Sequence, residues 1–179
     1  MDHVRISKLL ALALRHEPTA LGLSLDARGW ASVDDVLRGL GDRGLTISEE
    51  ELEQVVAASD KQRFALSADG ARIRANQGHS VRVDLGLSPA VPPEVLFHGT
   101  TTRFGDSIRE GGLVAGARTH VHLSADEATA RTVALRRRGP HVILRVRAGD
   151  LHRTGALFYQ SENGVWLTDA VPPTHLVWP

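Results

Sequence analysis

At 179 residues, with Lys plus Arg and Asp plus Glu balanced at 21 each, the chain has no global field that would announce a polyanionic partner, so affinity for nucleic acid must come from local clustering of charge. Hydrophobic residues make up 42% and charged ones 23%, the balance of a soluble globular protein of one domain or two small ones. The lack of cysteine excludes disulfides, thiolate nucleophiles and cysteine-ligated zinc. No apolar run approaches the ~18 residues of a membrane span, and MDHVRISKLL lacks a signal peptide's apolar segment, so a cytoplasmic protein is expected.

Ile6, Leu9, Leu10, Ala13 and Leu14 recur at helical spacing and predict an amphipathic first helix. Pro18 disfavours helical geometry at Glu17, which ends that helix near His16. Arg15 and His16 then occupy the last turn, where unpaired carbonyls welcome cations. GLSLDARGW reads as a short extended piece and turn. Ser32 with Asp35, and Ser48 with Glu51, carry the capping-box signature and open two more helices, the second ending near Ser59 and Asp60. RFALS, ADGA and RIRA predict a β-hairpin around Asp69 and Gly70, with Phe64, Leu66 and Ile73 on its buried face and Lys61, Arg63, Arg72 and Arg74 on the other. Three helices and a hairpin suggest a winged helix, and the basic face suits phosphates as well as it suits plain solvation.

DLGLSPAVPPE, residues 84–94, is Pro-rich and aperiodic and marks a linker between lobes at 1–83 and 95–179. The second lobe alternates strand and helix signals. VLFHGT predicts a strand, TRFGDSIREGGL a helix closed by Gly111 and Gly112, HVHLS a strand, and ADEATARTVALRRRG a helix capped by Ser124 and Glu127. HVILRVRA, ALFYQS, GVWLT and HLVWP complete a mixed α+β pattern.

Neither GxGxxG after a strand nor GxxxxGK[ST] is present, so a nucleotide would have to be held in another way. HGTT at 98–101 ends a strand with a histidine, a glycine and two hydroxyls, a plausible grip for ribose or pyrophosphate and equally an ordinary polar turn. His120 and His122 alternate along one strand, and no nearby carboxylate completes a metal set, which favours hydrogen-bonding roles over metal. FYQSENGVWLTDAVPP mixes polar and aromatic groups in the manner of a ligand-lining loop.

SKLLALALRHEP, GLSLDARGW, KQRFALSADGARIRANQGHS, LFHGT, ARTHVHLS and SENGVWLTDAVPP, in this order and spacing, closely resemble the NAD-dependent RNA 2'-phosphotransferases of the KptA family, from Ser7 to about Pro173. The resemblance implies an α+β protein with an N-terminal winged-helix RNA-binding lobe and an ADP-ribosyltransferase-like mixed α/β lobe, with NAD between them. It implies a metal-free reaction in two steps. The internal 2'-phosphate of an RNA attacks the anomeric carbon of the nicotinamide ribose and expels nicotinamide, leaving an RNA-phospho-ADP-ribose intermediate. The ribose 2''-hydroxyl then attacks phosphorus, releasing 2'-hydroxyl RNA and ADP-ribose 1'',2''-cyclic phosphate.

The family's functional tetrad falls on Arg15, His16, Arg63 and Arg118. A phosphate dianion beside a phosphodiester suits fork-shaped permanent cations, and His16 is suited to hydrogen bonding or proton movement. The resemblance assigns NAD to His98, Gly99 and Thr100, to His122 and Ser124, and to Asn163, Gly164 and Val165. Val165 stands where many ADP-ribosyltransferases carry glutamate, in keeping with a nucleophile already anionic. It further implies a role in tRNA splicing or RNA repair and a monomer. Two other readings use the same residues. One is an ADP-ribosyltransferase that stops after the first step and modifies terminal phosphates of nucleic acid, or protein; the other is a non-enzymatic winged-helix nucleic-acid binder.

Overall fold

The apolar spacing at the N-terminus folds as the helix it predicts. In the computed structural model, which describes residues 2–59 and 62–179, α1 spans His3–Arg15 and buries Ile6, Leu10, Ala13 and Leu14. A fully buried Leu or Ile contributes roughly 1.5–3 kcal/mol by leaving water. Asp2 caps the start by accepting from the Arg5 amide at 3.0 Å, and His16 is the C-cap. A 3-10 turn, Pro18–Leu21, follows with Pro18 at its first position, as the proline's fixed φ favours.

The chain then forms β1 (Trp30–Ser32), α2 (Val33–Gly41), α3 (Glu49–Ala57), β2 (Phe64–Leu66) and β3 (Arg72–Ala75). Ser48 and Glu51 make the reciprocal capping box, at 3.2 and 2.8 Å. At α2 the cap is one-sided: Ser32 accepts from the Asp35 amide at 3.4 Å, while the Asp35 carboxylate pairs with Arg38. Helix α3 stops at Ala57 with Ala58 as its C-cap. Asp60, expected near that end, and Lys61, expected on the hairpin's basic face, lie outside the described residues. The hairpin pairs Phe64 with Ala75 and Leu66 with Ile73, and β1 adds to its other edge, giving an antiparallel sheet in the order β1-β3-β2. Phe64, Ile73 and Ala75 join the side chains of α1, α2 and α3 in one core.

The chain divides into two compact units after Gly86, within the Pro-rich stretch. The second contains β4 (Leu96–Thr101), α4 (Gly105–Gly111), β5 (Leu113–Val114), β6 (Val121–Leu123), α5 (Glu127–Ala134), β7 (His141–Val146), α6 (Ala148–Arg153), β8 (Phe158–Gln160), β9 (Trp166–Thr168), β10 (Ala170–Val171) and β11 (Leu176–Val177). Two three-stranded sheets, β11-β7-β4 and β6-β9-β8, are joined by a bridge in which Phe97 and Ser124 exchange backbone hydrogen bonds at 2.8 and 2.9 Å. Leu96, Leu144, Val146, Leu123, Phe158 and Trp166 lie in the core of this unit.

The bridge corrects one expectation. Ser124 does not cap α5. Asp126 does, accepting from the Thr129 amide at 2.7 Å, because Ser124 is already committed to β4. A mixed α/β protein results, and among the described residues no helix is long and apolar enough to cross a membrane.

Candidate active site

Within the first unit, Arg15 is the last residue of α1 and His16 its cap, and the chain returns to them much later. The amides of Ser80 and Val81 both donate to the Arg15 carbonyl, at 2.8 and 3.2 Å. They satisfy an oxygen that the helix end would otherwise leave unpaired. Gly78 adopts φ +90, a conformation that glycine alone takes without strain, and its position lies 3.7 Å, measured to a hypothetical Cβ, from the Arg15 guanidinium. The Ser80 hydroxyl is 2.8 Å from His16 Nδ1. At the start of the same segment, the Asn76 amide donates to the Arg63 carbonyl at 3.0 Å, and its side chain donates to the Gln62 carbonyl. Gln62, beside Arg63, has a left-handed φ of 41, a strained conformation of the kind that clusters at functional sites. Residues 76–81 thus touch the neighbourhoods of Arg15, His16 and Arg63 together.

His79 in this segment is fully buried, and neither ring nitrogen finds a hydrogen-bond partner among the described residues. Burial, and then the charges of Arg15, His16 and Arg74, press its pKa from 6.5 to about 4, so the ring is neutral at physiological pH. On the sheet's other face, the guanidinium carbons of Arg74 and Arg72 lie 4.6 and 5.4 Å from the Trp30 ring centroid, and Arg72 also faces Asp26 at 3.8 Å. The basic face of the hairpin is therefore in part a stacked one.

Within the second unit, His98 on β4 places Nδ1 3.0 Å from the His122 carbonyl of β6. A carbonyl can only accept, so Nδ1 carries the proton and the neutral ring presents Nε2 as an acceptor. Burial lowers the pKa of His98 despite that hydrogen bond, with Arg137 and Arg118 adding to the effect. The His122 ring lies 3.0 Å from an Arg118 nitrogen through its own Nδ1; the guanidinium can only donate, so Nδ1 accepts and the neutral ring carries its proton on Nε2. Arg118 closes a turn on the Ala115 carbonyl at 3.2 Å. Partial desolvation, followed by the charges of Arg137 and Arg136, lowers its pKa, the mark of three guanidinia sharing one neighbourhood.

The remaining expected residues lie on β4 and in the connection between β8 and β9. Gly99 faces α5, where a Cβ would overlap the Ala130 carbonyl oxygen, so its smallness serves helix packing. Thr100 is buried next to it. Asn163, Gly164 and Val165 lie in the connection between β8 and β9, which Ser161 opens. The Ser161 hydroxyl donates to Asn163 Oδ1 at 2.6 Å and accepts from the Val165 amide at 3.2 Å. His120 and His122 do not converge. His120 meets Asp169 at 3.9 Å and the edge of Tyr159, while His122 serves Arg118. Sequence reasoning gave no role to Asn76, Gly78, Ser80 and Ser161. The signals were a glycine three residues past a strand and a serine opening a glycine turn.

The family model for RNA 2'-phosphotransferase, Tpt1 / KptA family, matches residues 1–170 of the chain. A probable RNA 2'-phosphotransferase of Pseudomonas aeruginosa (strain UCBPP-PA14) is 56% identical over 167 residues, 93% of this chain and 91% of that protein. One from Rhodopirellula baltica is 51% identical over 177 residues, 98% and 96% of the two chains, and one from Hahella chejuensis 53% identical over 170 residues, 95% and 91%. A match spanning both units, at identities above one half, makes the chain a member of the RNA 2'-phosphotransferase Tpt1 / KptA family.

Proposed function

We propose that this protein removes an internal 2'-phosphate from RNA by transferring it to NAD. The RNA phosphate oxygen attacks the anomeric carbon of the nicotinamide ribose and nicotinamide leaves. The ribose 2''-hydroxyl of the resulting RNA-phospho-ADP-ribose then attacks phosphorus, the RNA 2'-oxygen leaves, and ADP-ribose 1'',2''-cyclic phosphate forms. Arg15, His16, Arg63 and Arg118 are the catalytic set of this reading. Its support in the first unit is the order of helix, strand, two helices and hairpin, which fits a winged-helix lobe.

The observation that carries the reading is the chain of hydrogen bonds from His98 through His122 to Arg118. It sets an acceptor nitrogen, suited to a ribose hydroxyl, next to guanidinia suited to phosphate. That is the donor and acceptor set a dinucleotide needs, and it fits NAD as a substrate. Three arginines supply the charge stabilisation that phosphoryl transfer otherwise takes from a divalent cation. The turn of Asn163, Gly164 and Val165 provides further backbone groups for the cofactor, and Ser124 another hydroxyl.

Mass spectrometry of the products after incubation with a 2'-phosphorylated oligonucleotide tests this, with and without NAD and with EDTA present. The expected result is 2'-hydroxyl RNA, nicotinamide and the cyclic phosphate, dependent on NAD and indifferent to EDTA. Release of inorganic phosphate without NAD, or activity restored to an EDTA-treated sample by one metal, would contradict it. Accumulation of ADP-ribosylated RNA alone would identify a transferase that stops after the first step.

A further inference from the structure

Segment 76–81, which follows the hairpin, has no part in the reading above, yet its hydrogen bonds converge on α1. Two consecutive amides, of Ser80 and Val81, are bound to one carbonyl, that of Arg15. The Ser80 backbone is therefore referenced to the residue adjoining His16, and its hydroxyl meets Nδ1 at 2.8 Å. His16 sits past the regular helix, at φ -128 and ψ -46, and its side chain is exposed. The segment is in turn anchored on both sides of this contact. Asn76, buried, is tied to the backbone at Gln62 and Arg63, and His79 is sealed in the interior.

We propose that Ser80 is a positioning residue for His16: its hydroxyl, on a backbone held by the Arg15 carbonyl, fixes the plane of the imidazole so that Nε2 is the nitrogen that acts on the RNA phosphate. The proposal rests on the reading of His16 as part of the catalytic set. It assigns Ser80 no contact with substrate. A hydroxyl can donate to Nδ1 or accept from it, so the same contact serves the ring before and after a proton moves at Nε2.

The test combines ¹⁵N NMR of the His16 ring with steady-state kinetics, on full-length wild type, Ser80→Ala, Ser80→Thr and His16→Ala. In Ser80→Ala, the ring nitrogen shifts and their pH titration should move, and kcat should fall about two- to tenfold, the size of one net hydrogen bond, with KM for NAD unchanged. Ser80→Thr, which keeps the hydroxyl, should restore both. Full activity in His16→Ala would overturn the catalytic reading of His16 and the proposal with it. With His16→Ala inactive, wild-type ring signals or a wild-type kcat in Ser80→Ala would overturn the proposal alone. A loss of kcat in Ser80→Ala with no change at the His16 ring also overturns it, since the effect would then be structural.

Discussion

Each unit holds a histidine by Nδ1, and the partners differ in kind. His98 is bound to a main-chain carbonyl, and His122, whose carbonyl that is, to a guanidinium; the first can only accept and the second only donate, so both tautomers are dictated by their partners. His16 is bound to a hydroxyl, which does either. A group that must recognise a ribose gains from a fixed tautomer. A group that moves a proton gains from a partner able to reverse its role. The same contrast runs through the scaffolds. The second unit sets His98 within a strand, while the first sets His16 at a helix end closed by a segment from 64 residues later.

The comparison breaks most readily at Gly99. If β4 holds His98 through close packing on α5, then Gly99→Ala, which drives a methyl into the Ala130 carbonyl, should destabilise the protein by about 3 kcal/mol or more. Thermal denaturation would register this as a clear drop in Tm. An unchanged Tm would mean that α5 does not constrain the strand.

In the first unit the corresponding weak point is His79, and it responds to pH. Its folded pKa, about 4, lies below the ordinary 6.5, so between these values the unfolded chain binds a proton that the folded chain refuses. The stability is complete above pH 6.5 and is lost as pH falls towards 4, by up to about 3 kcal/mol. His98, lowered in the same direction, adds to the same slope. Denaturant midpoints measured across this range should fall less steeply in His79→Gln than in wild type. Parallel curves would show that His79 is not held neutral.

The smallest effect is expected at the ribose contact proposed for His98. His98→Ala should raise KM for NAD about fivefold to thirtyfold, the equivalent of about 1–2 kcal/mol, and leave the fold intact. Unaltered NAD kinetics would remove His98 from the site and with it the second unit's half of the comparison.

Local chemistry made much of the first unit legible. The end of α1 at Arg15, the Ser48 and Glu51 capping box and the hairpin register all follow from neighbours within a few residues. What was not legible depended on distant partners. Ser124 has the right chemistry for a cap, but Phe97, 27 residues earlier in the chain, claims its backbone, and Asp126 takes the role. The histidine pair at 120 and 122 reads as one feature in the sequence, and its partners separate it: His120 turns to Asp169, far along the chain, while His122 takes Arg118, only four residues away. Helix α6, only Ala148–Arg153, is too short to show a period. Ser80 and Asn76 could not be assigned to Arg15, His16 and Arg63 without the fold, because nothing local links a strand's end to a helix's end.

The proposal's central claim is that Arg15 and Arg118 each act on the RNA phosphate during transfer to NAD. Its most direct test is a time course of substrate, RNA-phospho-ADP-ribose and 2'-hydroxyl RNA for Arg15→Ala, Arg118→Ala and the two lysine variants. Loss of one charged contact to phosphate should cost roughly 1.5–3 kcal/mol or more, about tenfold to a hundredfold or beyond in rate. Arg118→Ala should let the first step proceed and accumulate the intermediate, whereas Arg15→Ala should slow both steps. Lysine should rescue each only in part, since a point charge does not reproduce the bidentate fork. Wild-type rates in both alanine variants would contradict the account and leave Arg15 as a cation that merely suits the end of a helix.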